Sequence, residues 1–210
     1  MIYFDEKNAT EDELWNWCLL EYRSSNVIVK KLIGNYYDNI NHIITTYFQK
    51  DMRILEVGCG GAESSDKIYG MLDGQHFDIS DYDIRYVNKV REFKKHLNIT
   101  QESVYDLKRA DNSYNAVFLL EVLEHLENYD LALHELFRVS SNWVIIAVPN
   151  EPLWRFLNLL RLKYIRDLGN TPGHLNHWSV TRLVKIVSRY GEITKVYRPL
   201  PWIILLVKKK

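Results

Sequence analysis

Short apolar runs alternate with amphipathic segments along most of the chain, and this alternation constrains the fold more than any other feature. Three apolar runs have the length of a strand, at Met52–Val57, Asn115–Leu120 and Trp143–Val148, and two weaker segments, Gln75–Ile79 and Ile99–Val104, are predicted as further strands. Segments with helical periodicity lie around them, at Glu11–Arg23, Val27–Phe48, Ala62–Leu72, Ile84–Leu97 and Tyr129–Val139. Runs without polar alternation are typical of strands buried on both faces. The order therefore predicts a parallel sheet that helices cover on both sides.

Two more strands are predicted at the end of the chain. Ile193–Tyr197 and Trp202–Lys208 flank the turn-like segment Arg198–Pro201, which indicates a hairpin. Ahead of them, Ser179 is a favourable N-cap and Gly191 a favourable C-terminal stop for one more helix. The predicted fold class is α/β, with a doubly wound, seven-stranded and mostly parallel sheet that has an antiparallel edge strand.

Composition and charge exclude several classes of protein. The chain carries 27 basic and 27 acidic residues, whereas a protein that binds duplex nucleic acid through phosphates usually has a basic excess, so no DNA partner is expected. Two cysteines in 210 residues are typical of a reducing compartment. The acidic start of the chain has no apolar signal-peptide core. The longest apolar run, Trp202–Val207, is far shorter than the ~20 residues of a membrane helix. We therefore expect a cytoplasmic protein.

A glycine-rich turn follows the first predicted strand. The segment Arg53–Ala62 reads RILEVGCGGA, so a buried strand enters a turn in which glycine permits positive φ and close approach of the backbone to a ligand. The carboxyl end of such a strand is where α/β sheets bind ligands. The nicotinamide fingerprint GxGxxG is not met, because Glu63 occupies the place of its third glycine. Instead, an acid inside the strand, Glu56, precedes Gly58 by two residues.

Two more acids follow the second and third predicted strands. Asp78 lies at the end of the second strand, where a carboxylate can accept both hydroxyls of a ribose. Asp106, followed by Leu107, lies after the third strand, where a carboxylate can accept the exocyclic amine of an adenine. Both acids also have simpler interpretations. Asp78 could form a turn, as the nearby Asp81 and Asp83 could, and Asp106 could be an exposed loop residue.

Together these motifs resemble those of class I S-adenosylmethionine-dependent methyltransferases, and the resemblance extends from about Arg53 to Lys208. The matching segments are Glu56-x-Gly58-x-Gly60, Asp78–Ser80, Asp106–Leu107, Glu121–Leu126, Arg138–Val139, Val148–Asn150 and Gly173–Ser179. One departure is Ala62, which stands where some members have a third loop glycine. The resemblance implies a Rossmann-like methyltransferase fold and S-adenosylmethionine as the cofactor.

The resemblance also assigns roles to individual residues. The methionine part of the cofactor would contact Glu56, Gly58, Cys59 and Gly60, the ribose Asp78 and Ile79, the adenine Asp106 and Leu107, and the sulfonium Glu121 and Val122. In this arrangement Cys59 is a wall residue rather than a nucleophile. Residues 51–210 would form the cofactor-binding domain, with a lid insertion at 151–178. Residues 1–50 would form helices that cap the cofactor and substrate site.

The reacting groups are expected just beyond the fourth strand and in the segment before the last helix. Methyl transfer from a sulfonium is an in-line displacement, for which the protein supplies proximity, orientation and exclusion of water. A hydroxyl or amine acceptor also benefits from a base. His125 is the first candidate and His177 the second, because histidine titrates near neutral pH. The structural alternatives are a hydrogen bond across a helix start for His125 and an ordering of the loop by His174 and His177.

A divalent metal ion is an alternative that the residues leave open. Glu121, Glu124 and His125 would share one helical face, because they stand at positions i, i+3 and i+4. With His174 or His177 folded over them, they could hold a cation that lowers the pKa of an acceptor hydroxyl. The favoured interpretation assigns no metal ligand.

The segment before the last helix is expected to close the acceptor site. The predicted helix over 152–168 has an apolar face and a basic face. This pattern fits a lid over a greasy substrate, contact with an anionic membrane surface or, most simply, a helix packed on the core. We expect methyl transfer to a small molecule, at oxygen. The alternatives are an RNA or protein methyltransferase and a non-catalytic member of the fold that binds the cofactor as an accessory partner.

Overall fold

A single sheet of seven strands organises the protein, whose computed structural model describes residues 8–22, 26–151, 153–155, 171 and 173–210. The strands are β1 Arg53–Val57, β2 His76–Asp81, β3 Asn98–Gln101, β4 Tyr114–Leu120, β5 Ser140–Pro149, β6 Gly191–Tyr197 and β7 Trp202–Lys209. Their order in the sheet is β3-β2-β1-β4-β5-β7-β6. Strands β1 to β5 pair in parallel, and β7 pairs antiparallel with both β5 and the edge strand β6. The predicted doubly wound, mostly parallel sheet with antiparallel pairing at one edge is confirmed.

Helices cover both faces of this sheet. They are α1 Glu11–Tyr22, α2 Val27–Tyr47, α3 Glu63–Met71, α4 Ile84–Phe93, α5 Tyr129–Val139 and α6 Val180–Val187, with a short 3-10 turn at Leu123–His125. α2, α3 and α4 pack on the face that contains Ile54 and Phe118, whereas α5 and α6 pack on the face that contains Leu55 and Val117. The strand order reverses between β1 and β4, and ligands bind α/β sheets at the carboxyl ends of the strands beside such a reversal.

The two helices before β1 pack differently. α2 belongs to the core, where its Ile40 and Ile43 are fully buried. α1 lies across α4, to which it is held by an aromatic stack of Trp15 on Phe93, with ring centroids 5.5 Å apart. α1 therefore lies where it can cover the neighbouring glycine-rich turn, while α2 supports the sheet.

Several element boundaries differ from the sequence-based expectation, among them that of β3, which ends at Gln101 rather than Val104. β2 does not end at Ile79 but continues to Asp81, because its pairing with β3 extends to the Asp81–Gln101 pair. α4 ends at Phe93 rather than Leu97. Gly191 does not end the last helix, which stops at Val187; it opens β6, where a Cβ would lie 2.6 Å from the carbonyl oxygen of Lys208.

The predicted lid helix over 152–168 lies almost entirely outside the described residues, of which 153–155 are helical. The described remainder of the predicted lid, 171 and 173–178, leads from this region into α6. None of the helices in the described part of the chain has both the length and the apolar composition needed to cross a membrane.

Candidate functional site

The glycine-rich turn leaves β1 in a backbone conformation that favours glycine. φ is +75° at Gly58, +51° at Gly60 and +57° at Ala62, within the left-handed region where glycine carries no Cβ penalty. A Cβ on Gly60 would have no atom of the described residues within 4 Å, so Gly60 faces open space among them. A Cβ on Gly58 would instead lie 2.6 Å from Cγ2 of Val122. The turn is therefore packed against the end of β4 at Gly58 and open at Gly60.

Glu56 and Cys59 lie beneath this turn and are buried. Glu56 accepts hydrogen bonds from the hydroxyls of Ser64 and Ser65, both at 2.6 Å, and so ties β1 to the start of α3. Burial raises the pKa of Glu56 to about 7. Burial also raises the pKa of the Cys59 thiol, which keeps it protonated and a weak nucleophile at neutral pH.

The carboxylate that reaches the turn belongs to Asp81, the last residue of β2. Its Oδ2 accepts a hydrogen bond from the backbone N–H of Gly60 at 2.8 Å, and its Oδ1 accepts one from the N–H of Asp83 at 2.9 Å. Burial raises the pKa of Asp81 to about 6. Because each carboxylate oxygen has two acceptor sites, Asp81 can still accept hydrogen bonds from a ligand that enters beside Gly60.

Asp78 was predicted to fill that place, and the prediction that it ends the second strand was wrong. Its carboxylate accepts hydrogen bonds from the hydroxyl of Tyr114 at 2.7 Å and from the amide of Asn98 at 2.5 Å. It also contacts the ring of His76 at 3.0 Å. Side chains alternate along a strand, so Asp78 and Asp81 lie on opposite faces of β2. The sequence did contain a signal for Asp81. It stands two residues before Asp83, which is the N-cap of α4, and therefore lies where β2 gives way to the next helix.

The other predicted partner of Asp78, Ile79, is fully buried in the core. Beyond β3, the side chain of Asp106 is 67% exposed and pairs with Lys108, which is the surface role given above as its alternative. Leu107 is buried, and its N–H donates to Oε2 of Glu135 at 3.0 Å.

Sequence reasoning did not single out Glu102, the buried acid that directly follows β3. Its N–H donates to the carbonyl oxygen of Asp81 at 2.9 Å, and its carboxylate pairs with Arg109 at 2.8 Å. The ends of β2 and β3 are thereby joined beside the glycine-rich turn. Only the pairing of the two strands reveals this position, because the acid has no distinctive spacing in the sequence.

After β4, the backbone at Glu121 has φ +58°, which is unusual for a residue with a side chain. The following turn is a 3-10 turn of three residues rather than an α-helix. The predicted common helical face of Glu121, Glu124 and His125 is therefore not formed. Oε2 of Glu121 accepts a hydrogen bond from the indole nitrogen of Trp202 at 2.8 Å, and burial raises the pKa of this carboxyl group.

The turn instead brings Glu124 and His125 together with His174. One ligand-type atom from each of the three side chains lies within 4.8 Å of the others. The backbone supports this arrangement, because the carbonyl oxygen of Glu124 accepts hydrogen bonds from the N–H groups of Leu175 and Asn176, both at 2.9 Å. His125 donates from Nδ1 to the carbonyl oxygen of Gly173 at 3.0 Å.

His177, the second predicted base, lies on a neighbouring cavity of about 160 Å³. The cavity is lined by Glu151, Arg155, His177, Trp178 and Ser179. Glu151 is buried, with Oε1 at 2.5 Å from Nδ1 of His174 and Oε2 at 3.7 Å from Nδ1 of His177. The sequence motifs did not single out Glu151, which follows β5 and whose carboxylate lies between the rings of His174 and His177.

Helix α1 contacts the glycine-rich turn from outside. A Cβ on Gly61 would lie 2.5 Å from Sγ of Cys18. The ammonium group of Lys94 donates to the carbonyl oxygen of Ala62 at 3.0 Å and lies over the ring of Trp15. The turn is therefore held between α1 and the end of α4.

Comparison with known proteins identifies the family of this chain. The family described as a methyltransferase domain matches residues 29–191. No curated protein matches the chain. Among solved structures, the chain is similar to magnesium protoporphyrin IX methyltransferase from Synechocystis PCC 6803 with bound S-adenosylhomocysteine. The TM-score is 0.65 at 16% identity, over 89% of each chain.

Two further structures show the same fold at low identity. A SAM-dependent methyltransferase from Methanosarcina mazei has 18% identity and a TM-score of 0.63, over 80% of this chain and 96% of that one. A chain from a complex that contains the Trm112 methyltransferase activator of Haloferax volcanii has 11% identity and a TM-score of 0.65, over 86% of this chain and 92% of that one. The family match covers well over half of the chain, so the protein belongs to the methyltransferase-domain family, and it has the fold of S-adenosylmethionine-dependent methyltransferases.

Proposed function

We propose that the protein transfers a methyl group from S-adenosylmethionine to an oxygen atom of a small molecule. The single observation that carries this proposal is the hydrogen bond from Gly60 to Asp81 beside the open space at Gly60. This bond places the buried carboxylate of Asp81 beside Gly60, where the lack of a side chain leaves the turn open to a ligand. When bound, the cofactor supplies an electrophilic methyl group on a positively charged sulfur.

The residues around the turn fit this cofactor. Gly58, Cys59 and Gly60 would line its methionine part, and Asp81 would accept hydrogen bonds from the ribose hydroxyls in place of Asp78. The segment from Ser103 to Leu107, next to Asp81 through Glu102, would lie along the adenine. Burial raises the pKa of Glu121 to about 8, and a sulfonium beside it would favour its ionised form.

His125 is the proposed base of this reaction. Burial, and after it the neighbouring His174, lower the pKa of His125. The ring is therefore neutral at pH 7. Since Nδ1 donates to the carbonyl oxygen of Gly173, the lone pair of the neutral ring is on Nε2 and can accept a proton from a hydroxyl. His177 is the second candidate.

The charges of the acceptor side favour a small molecule over RNA. Burial, and after it the neighbouring carboxyl groups, raise the pKa of Glu121 and of Glu124. These buried acids offer no positive charge to a polyphosphate chain, and the protein has no basic excess that would favour RNA.

We also propose that α1 caps the cofactor and that the described end of the predicted lid, 173–178, closes the acceptor site. The support for the cap is the contact of α1 with Gly61 and with Lys94. The support for the lid is the hydrogen-bonded connection of 173–176 to the turn after β4.

The test has two stages. Calorimetry with S-adenosylhomocysteine should show one bound ligand per chain for the wild type. Gly60→Val should weaken binding at least tenfold, because its side chain would fill the open space. Gly70→Ala in α3, where a Cβ also meets no atom within 4 Å, is the matched control and should bind normally.

A labelled-methyl assay against separated small-molecule, RNA and protein fractions should then label only the small-molecule fraction. Release of the label by a treatment that cleaves methyl esters or ethers, but not methylamines, would support transfer to oxygen. Labelling confined to RNA or protein would contradict the acceptor class. Failure of the wild type to bind S-adenosylhomocysteine would contradict the cofactor site.

A further inference from the structure

We propose that Glu124, His125 and His174 form a binding site for a divalent transition-metal ion such as Zn²⁺, Mn²⁺ or Co²⁺. The three side chains offer one ligand atom each, all within 4.8 Å of one another. In a tetrahedral site with bonds of about 2.1 Å, ligand atoms lie about 3.4 Å apart. The donors therefore need to approach one another by no more than about 1.4 Å when an ion binds.

The hydrogen bonds of His125 and His174 engage Nδ1 of each ring and leave Nε2 available to a metal. Nδ1 of His125 faces the carbonyl oxygen of Gly173, which can only accept, so Nδ1 carries the proton. Nδ1 of His174 lies 2.5 Å from the carboxylate of Glu151, which again fixes the proton on Nδ1. In the neutral rings, both Nε2 atoms then carry lone pairs. A backbone carbonyl or a carboxylate behind the ring is the usual partner of a metal-binding histidine.

The third donor is a carboxylate with an unused oxygen. Glu124 is 1% exposed, and its Oε2 accepts no hydrogen bond from the described residues. A buried acceptor without a partner destabilises the fold unless a ligand satisfies it.

The donor set also indicates the class of metal. Imidazole nitrogens suit zinc and other transition metals, whereas magnesium and calcium prefer oxygen ligands. Three protein ligands leave a coordination position for another molecule, as is usual for catalytic metal sites. If the proposed methyl transfer is correct, that position would suit the acceptor oxygen, and His125 would then be a ligand rather than the base.

The site differs from the metal site that the sequence alone suggests. Glu121 is not part of it, because its Oε2 is engaged by Trp202 and the turn at φ +58° separates it from the helical register. Glu151 is not a ligand either. It is a positioning residue that holds the ring of His174.

Calorimetry on the full-length protein, after removal of metal with a chelator, tests the site directly. We expect one Zn²⁺ or Co²⁺ per chain, bound more tightly than Mg²⁺. Glu124→Gln and His174→Gln should each weaken binding at least tenfold. Glu151→Gln should weaken it about 10- to 100-fold through the orientation of His174. The exposed Glu127→Gln and His42→Gln are matched controls and should bind like the wild type.

Two results would overturn the proposal: no binding of Zn²⁺ or Co²⁺ by the wild type, or binding that is the same in His174→Gln. Thermal unfolding provides a second measurement, since Zn²⁺ should raise the Tm of the wild type and of His42→Gln but not of Glu124→Gln. Binding of S-adenosylhomocysteine by the metal-free protein tests the proposed function separately, because the cofactor residues and the three metal ligands do not overlap.

Discussion

The backbone N–H of Gly60 donates a hydrogen bond to Oδ2 of Asp81, with 2.8 Å between the two atoms. This bond joins the turn after β1 to the end of β2 and places a buried acid at the entrance of the candidate cofactor site. Asp78, three residues earlier, is engaged on the other face of the sheet. The two aspartates can therefore be separated by experiment.

We expect Asp81→Asn to weaken binding of S-adenosylhomocysteine about 10- to 100-fold, because a hydrogen bond to a charged group contributes about 1.5–3 kcal/mol. Asp78→Asn should leave this affinity within about threefold but lower the free energy of unfolding by about 1–3 kcal/mol. Calorimetry and denaturant unfolding of both variants measure the two effects. If Asp78→Asn lost as much affinity as Asp81→Asn, the contact with the ribose would have to be assigned to Asp78.

Binding should also depend on pH through Asp81. Burial raises its pKa to about 6 in the free protein, so the carboxylate is ionised above this pH and protonated below it. Since the ionised form is the better acceptor for two hydroxyls, affinity for S-adenosylhomocysteine should rise as pH increases from 5 to 7 (about one unit on each side of the pKa). Asp81→Asn should remove most of this dependence. A wild-type affinity that is flat over this range would contradict the role of Asp81.

Gly58 and Gly60 should respond differently to alanine. Gly58→Ala introduces a clash with Val122 in addition to the left-handed backbone strain of about 1–2 kcal/mol. The double variant Gly58→Ala/Val122→Ala should recover the part of the stability lost to the clash. Gly60→Ala introduces only the backbone strain. Because its methyl group faces the open space, this variant should lower the affinity for the cofactor by more than its loss of folding free energy alone would predict. Denaturant unfolding and calorimetry measure both quantities, and an absence of recovery in the double variant would show that packing on Val122 does not matter.

Glu135 should contribute to stability in a pH-dependent manner. Its hydrogen bonds with Arg138, at 2.7 Å and 2.8 Å, lower the pKa of Glu135 below its usual value. A lowered folded-state pKa stabilises the protein above the unfolded-state pKa of about 4.3, and this contribution is lost as pH falls through the folded-state pKa. Glu135→Gln should therefore lower the free energy of unfolding by about 1–3 kcal/mol at pH 7.

The difference between Glu135→Gln and the wild type should shrink as the pH is lowered from 5 towards 3, around the usual Glu pKa. The exposed Glu127→Gln is the control and should change stability little at either pH. Denaturant unfolding at several pH values provides the measurement. A difference that stays constant with pH would mean that the carboxylate charge does not contribute.

The sequence by itself determined the fold class, the element order and the position of the glycine-rich turn. These features depend on local signals: the buried runs of β1, β4 and β5, and the left-handed turn that glycine at positions 58 and 60 permits. The carboxyl ends of parallel strands lie at one edge, so the order of strands places the turn and the acids after each strand near one another. The family match confirmed the resemblance to methyltransferases, and the strand order confirmed the fold class.

Only the tertiary structure decided which acid reaches the turn and which side chains come together after β4. The choice between Asp78 and Asp81 depends on where the pairing of β2 with β3 stops, which is a property of two strands rather than one. The grouping of Glu124 with His174 depends on segments 50 residues apart. Glu121 is not part of this group, because its backbone is in the left-handed region. Hydrogen bonds and packing between distant segments set these positions, and such contacts have no periodic pattern in the sequence.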